Sequence, residues 1–249
     1  MTGPVLLWLA LGAYLVSGIV TVLGRRPVFW PGVVLSGLGL VLQVMFVVLR
    51  TIATGFLPFA SRFEALALFA LAVQAAGLSV SLGTRQYSAK VGTDLASVLL
   101  LVGALAPVGF HRGGDLNPLL DSPWFAGHIL SAFAGYGCLV AGLVWSLVRV
   151  FDRELDQNPA VPLLLARAGL LLLGTGILTG AAWADAAWGS YWNWDPKESW
   201  ALLTWTIMLV YLHVRSGRVR DVVFYGLGCA AMIFTFLGIN LLRWGLHRY

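Results

Sequence analysis

The chain has 249 residues, and 59% of them are hydrophobic while only 11% are charged. Its 16 Lys and Arg exceed its 11 Asp and Glu, which gives a formal net charge of +5. A soluble domain carries about a quarter charged residues, so the composition indicates an integral membrane protein surrounded by a lipid bilayer. The basic residues are scattered through short loops rather than gathered on one face, a pattern that argues against nucleic acid as a partner.

Apolar runs of the length needed to cross a bilayer, about 20 residues, recur along the chain. They predict an all-α polytopic helix bundle, with one membrane domain over residues 1–249 and eight transmembrane helices. The predicted spans are residues 4–23, 31–49, 63–82, 91–110, 124–148, 162–182, 197–214 and 221–242.

The basic residues in the loops predict the orientation of these spans. Ten Lys and Arg, among them Lys90 and Arg149, fall on one predicted side and six on the other. The positive-inside rule places the larger set in the cytoplasm, so both termini are expected outside. The first apolar run has no preceding charge and is followed by Arg25 and Arg26. That order favours a retained helix over a cleaved signal peptide.

The most unusual segment joins the sixth and seventh spans and is predicted to be an external loop over residues 183–200. Its second part, residues 188–200, contains four Trp and one Tyr beside Asp195, Lys197 and Glu198. Interfacial aromatic belts explain single Trp residues but not four in thirteen. Flat aromatic faces beside a few fixed charges suit a large planar ligand, for which haem is the natural candidate. Asp195 and Glu198 also read as the N-cap and third position of a capping box, with Pro196 between them.

Two histidines are predicted to lie at the same membrane level as the Trp-rich loop. His128 falls near the outer end of the fifth span, and His247 lies just past the eighth. Neutral imidazoles can bind haem iron from opposite sides. The alternatives are a helix–helix hydrogen bond for His128 and a solvated tail residue for His247. His111 is interpreted as a solvated loop residue.

His213 is predicted to lie at the opposite membrane face. It is 18 residues after Asp195, which is about 27 Å along a helix, and no other histidine has that depth. If it binds haem, the second ligand must be water or come from another polypeptide. The alternative is an interfacial histidine beside Arg215. Glu64 is interpreted as a paired interfacial charge beside Arg62, with a role in the haem site as the lesser alternative.

The Trp-rich segment resembles the "WWD" signature of haem-handling membrane proteins, most closely that of the CcsA (ResC) branch of the system II cytochrome c biogenesis machinery. The strings that carry the resemblance are residues 188–200, Ser122-Pro-Trp-Phe-Ala-Gly-His128, Leu203-Thr-Trp-Thr206, Tyr211-Leu-His213 and Phe236-Leu-Gly-Ile-Asn240. The sister branch, CcmC, differs in having six spans and an Arg-Leu-Thr type sequence where this chain has Pro196-Lys197-Glu198.

The resemblance implies that haem b binds at the outer face, with His128 and His247 as ligands of the haem iron. It also implies that Trp188, Trp192, Trp194 and Asp195 belong to that site. It further implies that His213 holds haem within the membrane together with a CcsB (ResB)-like membrane protein.

The function implied is that of the haem-handling subunit of a cytochrome c synthase, a haem lyase that acts with the CcsB-like partner. Such a subunit moves haem to the outer face and presents it to an apocytochrome c with a C-x-x-C-H motif. No residue of this chain is assigned a catalytic role. The alternatives are a CcmC-like haem delivery protein without ligation activity and a b-type electron-transfer membrane protein. The expected location is the bacterial plasma membrane, or the thylakoid membrane for a plastid-type chain.

Overall fold

The computed structural model describes residues 2–24, 29–59, 61–106, 120–151, 158, 160–214 and 217–238. Within these ranges the secondary structure is helical and no β-strand occurs, so the all-α prediction is confirmed. The last helix continues into a π-helical turn, Phe234–Gly238. The helices are α1 (Thr2–Gly24), α2 (Phe29–Thr54), α3 (Arg62–Thr84), α4 (Tyr87–Leu105), α5 (Pro123–Phe151), α6 (Ala160–Trp188), α7 (Pro196–His213) and α8 (Arg218–Ile233).

Seven helices in the described part of the chain, all except α7, are long and apolar enough to cross a membrane. The prediction of a polytopic membrane protein is therefore confirmed. α7 forms where the seventh span was predicted, but its first turn carries Lys197 and Glu198. These charges and the hydroxyls of Thr204 and Thr206 leave it less apolar than its neighbours.

Several predicted helix boundaries differ from the structure, and both ends of α4 are examples. α4 begins at Tyr87 rather than at residue 91, because the charge of Lys90 is neutralised by Asp94 one turn further on. The helix ends at Leu105, and Ala106 is extended with φ −62° and ψ 139°. Ala106 precedes a proline in the sequence, and the residue before proline disfavours the helical conformation. The ends of the fourth and eighth predicted spans, 107–110 and 239–242, lie outside the described residues.

The chain divides into two compact units, Met1–Asp121 and Ser122–Tyr249. In the first unit α1 packs on α2 and α4, and α3 packs on α4. Its apolar core includes the fully buried side chains of Leu7, Tyr14 and Leu101. In the second unit α5 packs mainly on α6, and α8 packs on α5 and α7.

The first unit also has a polar centre, built around a buried ion pair. Lys90 Nζ lies 2.6 Å from Asp94 Oδ2, and both side chains are 1% exposed. Asp94 Oδ1 accepts hydrogen bonds from Ser36 Oγ at 2.7 Å and Gln74 Nε2 at 2.8 Å. Ser17 Oγ donates to Asp94 Oδ2 at 2.8 Å and accepts from Lys90 Nζ. One carboxylate therefore ties α1, α2, α3 and α4 together.

A second buried ion pair holds the helices of the second unit. Arg149 Nη1 of α5 lies 2.8 Å from Asp221 Oδ2 of α8. Asp221 Oδ1 accepts a hydrogen bond from the Tyr211 hydroxyl of α7 at 2.9 Å. Lys90 and Arg149 were both counted as loop charges in the orientation argument, and the structure corrects this because each is buried and paired. The remaining charges divide eight to six (ten minus two, against six), and the orientation stays a prediction.

Glu64 is a paired charge, as predicted, but its partner is Arg50 rather than Arg62. Arg50 Nε of α2 lies 2.8 Å from Glu64 Oε1. The same carboxylate accepts from the Ser61 backbone N–H at 3.1 Å, while Ser61 Oγ accepts from the Glu64 N–H at 3.2 Å. This capping box and ion pair give Glu64 a structural role in the first unit.

α5 and α6 approach each other so closely that glycine is required at their contact. A Cβ atom on Gly135 would lie 2.8 Å from the Leu173 backbone nitrogen. A Cβ atom on Gly176 would lie 3.0 Å from the backbone nitrogen of Ala132. Small residues allow membrane helices to pack backbone against backbone in this way.

Candidate functional site

His128 lies in the second turn of α5 and is oriented by α6. Its Nδ1 is 2.7 Å from the carbonyl oxygen of Gly176. Because a carbonyl oxygen only accepts, Nδ1 carries the proton and donates it. The hydrogen bond between helices, considered above as an alternative role for His128, is therefore present. It uses only one ring nitrogen and leaves Nε2 as the nitrogen with a lone pair, the form in which histidine binds a metal.

A column of aromatic rings connects His128 with the first tryptophan of the Trp-rich segment. The ring centroid of Phe125 lies 6.2 Å from that of His128 and 4.6 Å from that of Trp183. Trp183 in turn lies 4.8 Å from Trp188, with the two planes at 67°. Trp183 is only 2% exposed, so it supports the column from within α6. The structure thereby brings two predicted site residues, His128 and Trp188, to the same end of the α5–α6 pair.

Phe125 and Trp183 were not named as site residues, although Trp183 is the first residue of the predicted loop 183–200. Phe125 is three residues before His128, a spacing that places both side chains on one helix face. That spacing could have identified Phe125 from the sequence. The buried packing of Trp183 could not have been predicted, because its contacts come from another helix and from the helical continuation of α6.

The Trp-rich loop is shorter than predicted. Residues 183–188 are the last turns of α6, and only residues 189–195 connect it to α7. Asp185 lowers the hydropathy of the segment, but the surrounding alanines have the highest helix propensity. The helix ends at Gly189, whose φ of +74° is the left-handed conformation that glycine adopts readily. The Gly189 N–H donates to the Asp185 carbonyl at 2.8 Å.

The start of α7 matches the predicted capping box. Asp195 is the N-cap, and its Oδ1 accepts a hydrogen bond from the Lys197 N–H at 2.9 Å. Glu198 Oε2 accepts from the Asp195 N–H at 3.1 Å and also from the Asn193 N–H at 2.9 Å. Lys197 is near enough to His128 for its charge to act on the imidazole. Local backbone contacts thus fix Asp195 at the start of α7.

The loop presents aromatic rings to its surroundings. Trp194 is 72% exposed and has a φ of +54°. Left-handed backbone at a bulky residue costs about 1–3 kcal/mol and persists only where other contacts hold it. The Trp192 and Trp194 rings lie 5.8 Å apart and nearly perpendicular, at 89°. This arrangement offers one ring face and one ring edge beside each other.

Tyr191 lies close enough to Asp185, near the end of α6, for the carboxylate to act on its phenol. Hydrogen bonding to Asp185, together with the negative charge of Asp185, raises the pKa of the exposed Tyr191 phenol above its ordinary value. The hydrogen bonds of the loop to Glu198 attach it to α7, and Asp185 of α6 interacts electrostatically with Tyr191.

His213 is the last residue of α7 and lies at the opposite end of that helix from Asp195. Its side chain is exposed, and its Nδ1 is 2.8 Å from the Leu209 carbonyl oxygen of the same helix. Nε2 is again the ring nitrogen with a lone pair. His128, the other histidine in the described part of the chain, packs against α6 and lies within range of the charge of Lys197 in the first turn of α7. The structure thus does not bring these two histidines together.

His247 and His111 lie outside the described residues, so the pairing of His128 with His247 stays a prediction. Among the described residues there is no cluster of three or more His, Cys, Asp or Glu side chains that could hold a metal ion. A haem iron takes at most two axial ligands from protein, so a haem site needs two single histidines rather than such a cluster.

Comparison with known proteins gives one consistent family. Residues 33–247, which include every predicted site residue, match the family model described as Cytochrome C assembly protein. The chain is 31% identical to "Cytochrome c biogenesis protein CcsA" of Prochlorococcus marinus (strain MIT 9303), over 99% of this chain and 88% of the relative. It is 30% identical to the protein of the same name from Chlamydomonas reinhardtii, over 87% of this chain and 67% of the relative. The corresponding protein of Trieres chinensis is 29% identical, over 80% of each chain.

Proposed function

The chain belongs to the CcsA family of cytochrome c assembly proteins, and we propose that in cytochrome c biogenesis it binds haem b and presents it to apocytochrome c. Haem is the cargo, and it brings an iron with two axial positions and two vinyl groups that can accept thioether bonds. The observation that carries the proposal is the orientation of His128. Its Nδ1–H is held by the Gly176 carbonyl, so Nε2 is available as an axial ligand.

The surroundings of His128 fit a large planar molecule. The aromatic column reaches from His128 through Phe125 and Trp183 to Trp188, and the loop adds the exposed face of Trp194. In the proposed site Trp188, Trp192 and Trp194 contact the porphyrin, and Asp195 shapes the loop as the N-cap of α7. His247 is proposed as the second axial ligand.

His213 is proposed to serve a second haem position, shared with another membrane protein. Two observations support this. The imidazole is exposed with its Nε2 directed away from its own helix bond, and His128 lies at the other end of α7. A CcsB-like partner would supply the missing ligand.

The chain's own contribution to haem attachment is proposed to be positioning, and no residue is proposed as a general acid or base. The apocytochrome presents its C-x-x-C-H motif at the outer face, and each thiol adds across a vinyl double bond, with sulfur bonded to one carbon and hydrogen to the other. Holding both reactants in a fixed geometry lowers the entropic barrier to that addition.

The test is to co-express the chain with a CcsB-like partner and a reporter apocytochrome in cells that lack other maturation systems. Holocytochrome is expected with the wild-type chain, and much less with His128→Ala at an unchanged membrane level of the chain. Haem in the purified complex without any holocytochrome would favour haem delivery without ligation. Absence of both haem and holocytochrome would contradict the proposal.

A further inference from the structure

We propose that Glu198 is a positioning residue that holds Trp194 in the pose in which it meets haem. This inference rests on the proposed function, because it concerns how the same site is prepared for its ligand. Glu198 itself need not touch haem. Its effect is transmitted through the backbone on both sides of Trp194.

The two hydrogen bonds to Glu198 enclose Trp194. One carboxylate oxygen, Oε2, accepts from the N–H of Asn193, the residue before Trp194, and from the N–H of Asp195, the residue after it. The two amides can converge on one oxygen because the backbone turns at Trp194, where φ is +54°. Backbone N–H groups that converge in this way form a concave site for an anion. Here the anion is a carboxylate of the protein itself.

A third contact binds the carbonyl side of the peptide group between Trp194 and Asp195, whose N–H already donates to Glu198. Ser199 Oγ donates to the Trp194 carbonyl oxygen at 3.3 Å. The N–H groups of Asn193 and Asp195 and the carbonyl of Trp194 are therefore bound to residues in the first turn of α7. Since α7 begins at Pro196, the exposed indole is attached to a helix rather than to a free loop.

A second capping box in the same chain indicates that this use of Glu198 is additional to capping. In the Ser61–Glu64 box, Glu64 Oε2 binds the N-cap amide, and Oε1 binds Arg50. No amide before the N-cap is bound by the Glu64 carboxylate among the described residues. Capping α7 requires only the bond to Asp195, so the bond to Asn193 serves the loop.

The physical consequence is pre-organisation. A bulky residue leaves the left-handed conformation when nothing holds it, because its side chain clashes with the backbone there. Without Glu198 the loop would sample other conformations, and haem binding would have to order it again. Ligands bind more tightly to a surface that is already ordered.

The experiment compares Glu198→Ala with Glu198→Gln in the full chain, purified with its partner. Gln keeps an amide oxygen that can accept both hydrogen bonds and is tolerated at this position of a capping box. Ser61→Ala is the matched control, since it weakens a capping box of the same type far from the loop in sequence. The chain carries 5-fluorotryptophan, and the Trp194 resonance is assigned by its loss in Trp194→Phe.

In haem-free protein, the ¹⁹F resonance of Trp194 is expected to be single and unchanged in wild type, Glu198→Gln and Ser61→Ala. In Glu198→Ala it should shift or split. Haem affinity should fall about tenfold in Glu198→Ala, the lower end of the range for losing an orienting partner, and stay within about twofold in Glu198→Gln.

An unchanged Trp194 resonance in Glu198→Ala would overturn the positioning role. Equal loss of affinity in Glu198→Gln and Glu198→Ala would also overturn it, because charge rather than geometry would then be responsible. Failure of the wild-type chain to bind haem would instead contradict the proposed function, and the ¹⁹F result would still decide the role of Glu198.

Discussion

His128 and Gly180 face each other so closely that a Cβ atom on residue 180 would lie 2.6 Å from the imidazole Nδ1. That distance is well inside van der Waals contact with the atom that donates to the Gly176 carbonyl. The orientation of the proposed haem ligand therefore depends on the absence of a side chain one turn further along α6.

The first prediction is that Gly180→Ala acts like a mutation of His128 itself. The added methyl group displaces the ring from Gly176, so haem affinity should fall by about 10- to 100-fold. Haem titration of the purified complex measures this. Gly127→Ala is the control, because a Cβ there would have its nearest neighbour, Thr179 Cγ2, at an ordinary 3.7 Å. Wild-type affinity in Gly180→Ala would contradict the assignment of Nε2 as a ligand.

The second prediction distinguishes the structural role of Trp183 from the proposed ligand-binding role of Trp194. Trp183→Ala removes a side chain that is 2% exposed and should lower the free energy of unfolding by about 3–5 kcal/mol. Trp194→Gly relieves the left-handed backbone and should leave stability unchanged or raise it by up to about 1 kcal/mol, yet weaken haem binding. Thermal unfolding in detergent and haem titration of both variants test this prediction. A strongly destabilised Trp194→Gly would refute the reading of Trp194 as a ligand contact.

The third prediction concerns His213. Its side chain is exposed and bonds only within its own helix among the contacts described. His213→Ala should therefore change the free energy of unfolding by no more than about 0.5 kcal/mol. It should nevertheless lower the haem content of the complex with the partner. The chain purified alone is the control and should show no haem bound at this position, so bis-histidine ligation there would argue against a shared site.

The fourth prediction concerns the buried ion pair of the first unit. Lys90→Met leaves the Asp94 carboxylate buried without its counter-charge, which should destabilise the protein by about 3–5 kcal/mol. Adding Asp94→Asn removes that charge and keeps a carbonyl oxygen for Ser36 and Gln74. The double variant should thus unfold at a higher temperature than Lys90→Met. If both unfold at the same temperature, the charge of Asp94 is not what makes the single change harmful.

The features that could be predicted from the sequence are those built by neighbouring residues. The capping box at Asp195 and Glu198 was predicted correctly because all of its atoms belong to one short stretch of chain. The positions of the helices could be predicted from the apolar runs, because a helix needs about 20 hydrophobic residues to cross the bilayer. Even the paired state of Glu64 was predictable, because a lone charge at a membrane span would be too costly.

Other features depend on residues far apart in the chain. Asp94 is a local partner of Lys90, but the side chains that enclose this ion pair, Ser17, Ser36 and Gln74, lie on other helices. The local sequence therefore does not show that Lys90 is buried. The end of α6 was placed too early because hydropathy responds to Asp185, whereas the helix responds to the alanines around it. Trp194 has a left-handed backbone conformation, which bulky residues disfavour. Its residue type therefore predicts a negative φ instead.

The contact between α5 and α6 also limits which parts of the second unit can move. At Gly135 and Gly176 the backbones of the two helices are in contact, and no side chain there could rearrange. Thermal fluctuations of the bilayer should therefore leave α5 and α6 together as one rigid body. α6 packs less extensively on α7 than on α5, and the connection there is the seven residues from 189 to 195. Haem is thus expected to enter and leave on the α7 side, while His128 keeps its position in the α5–α6 pair.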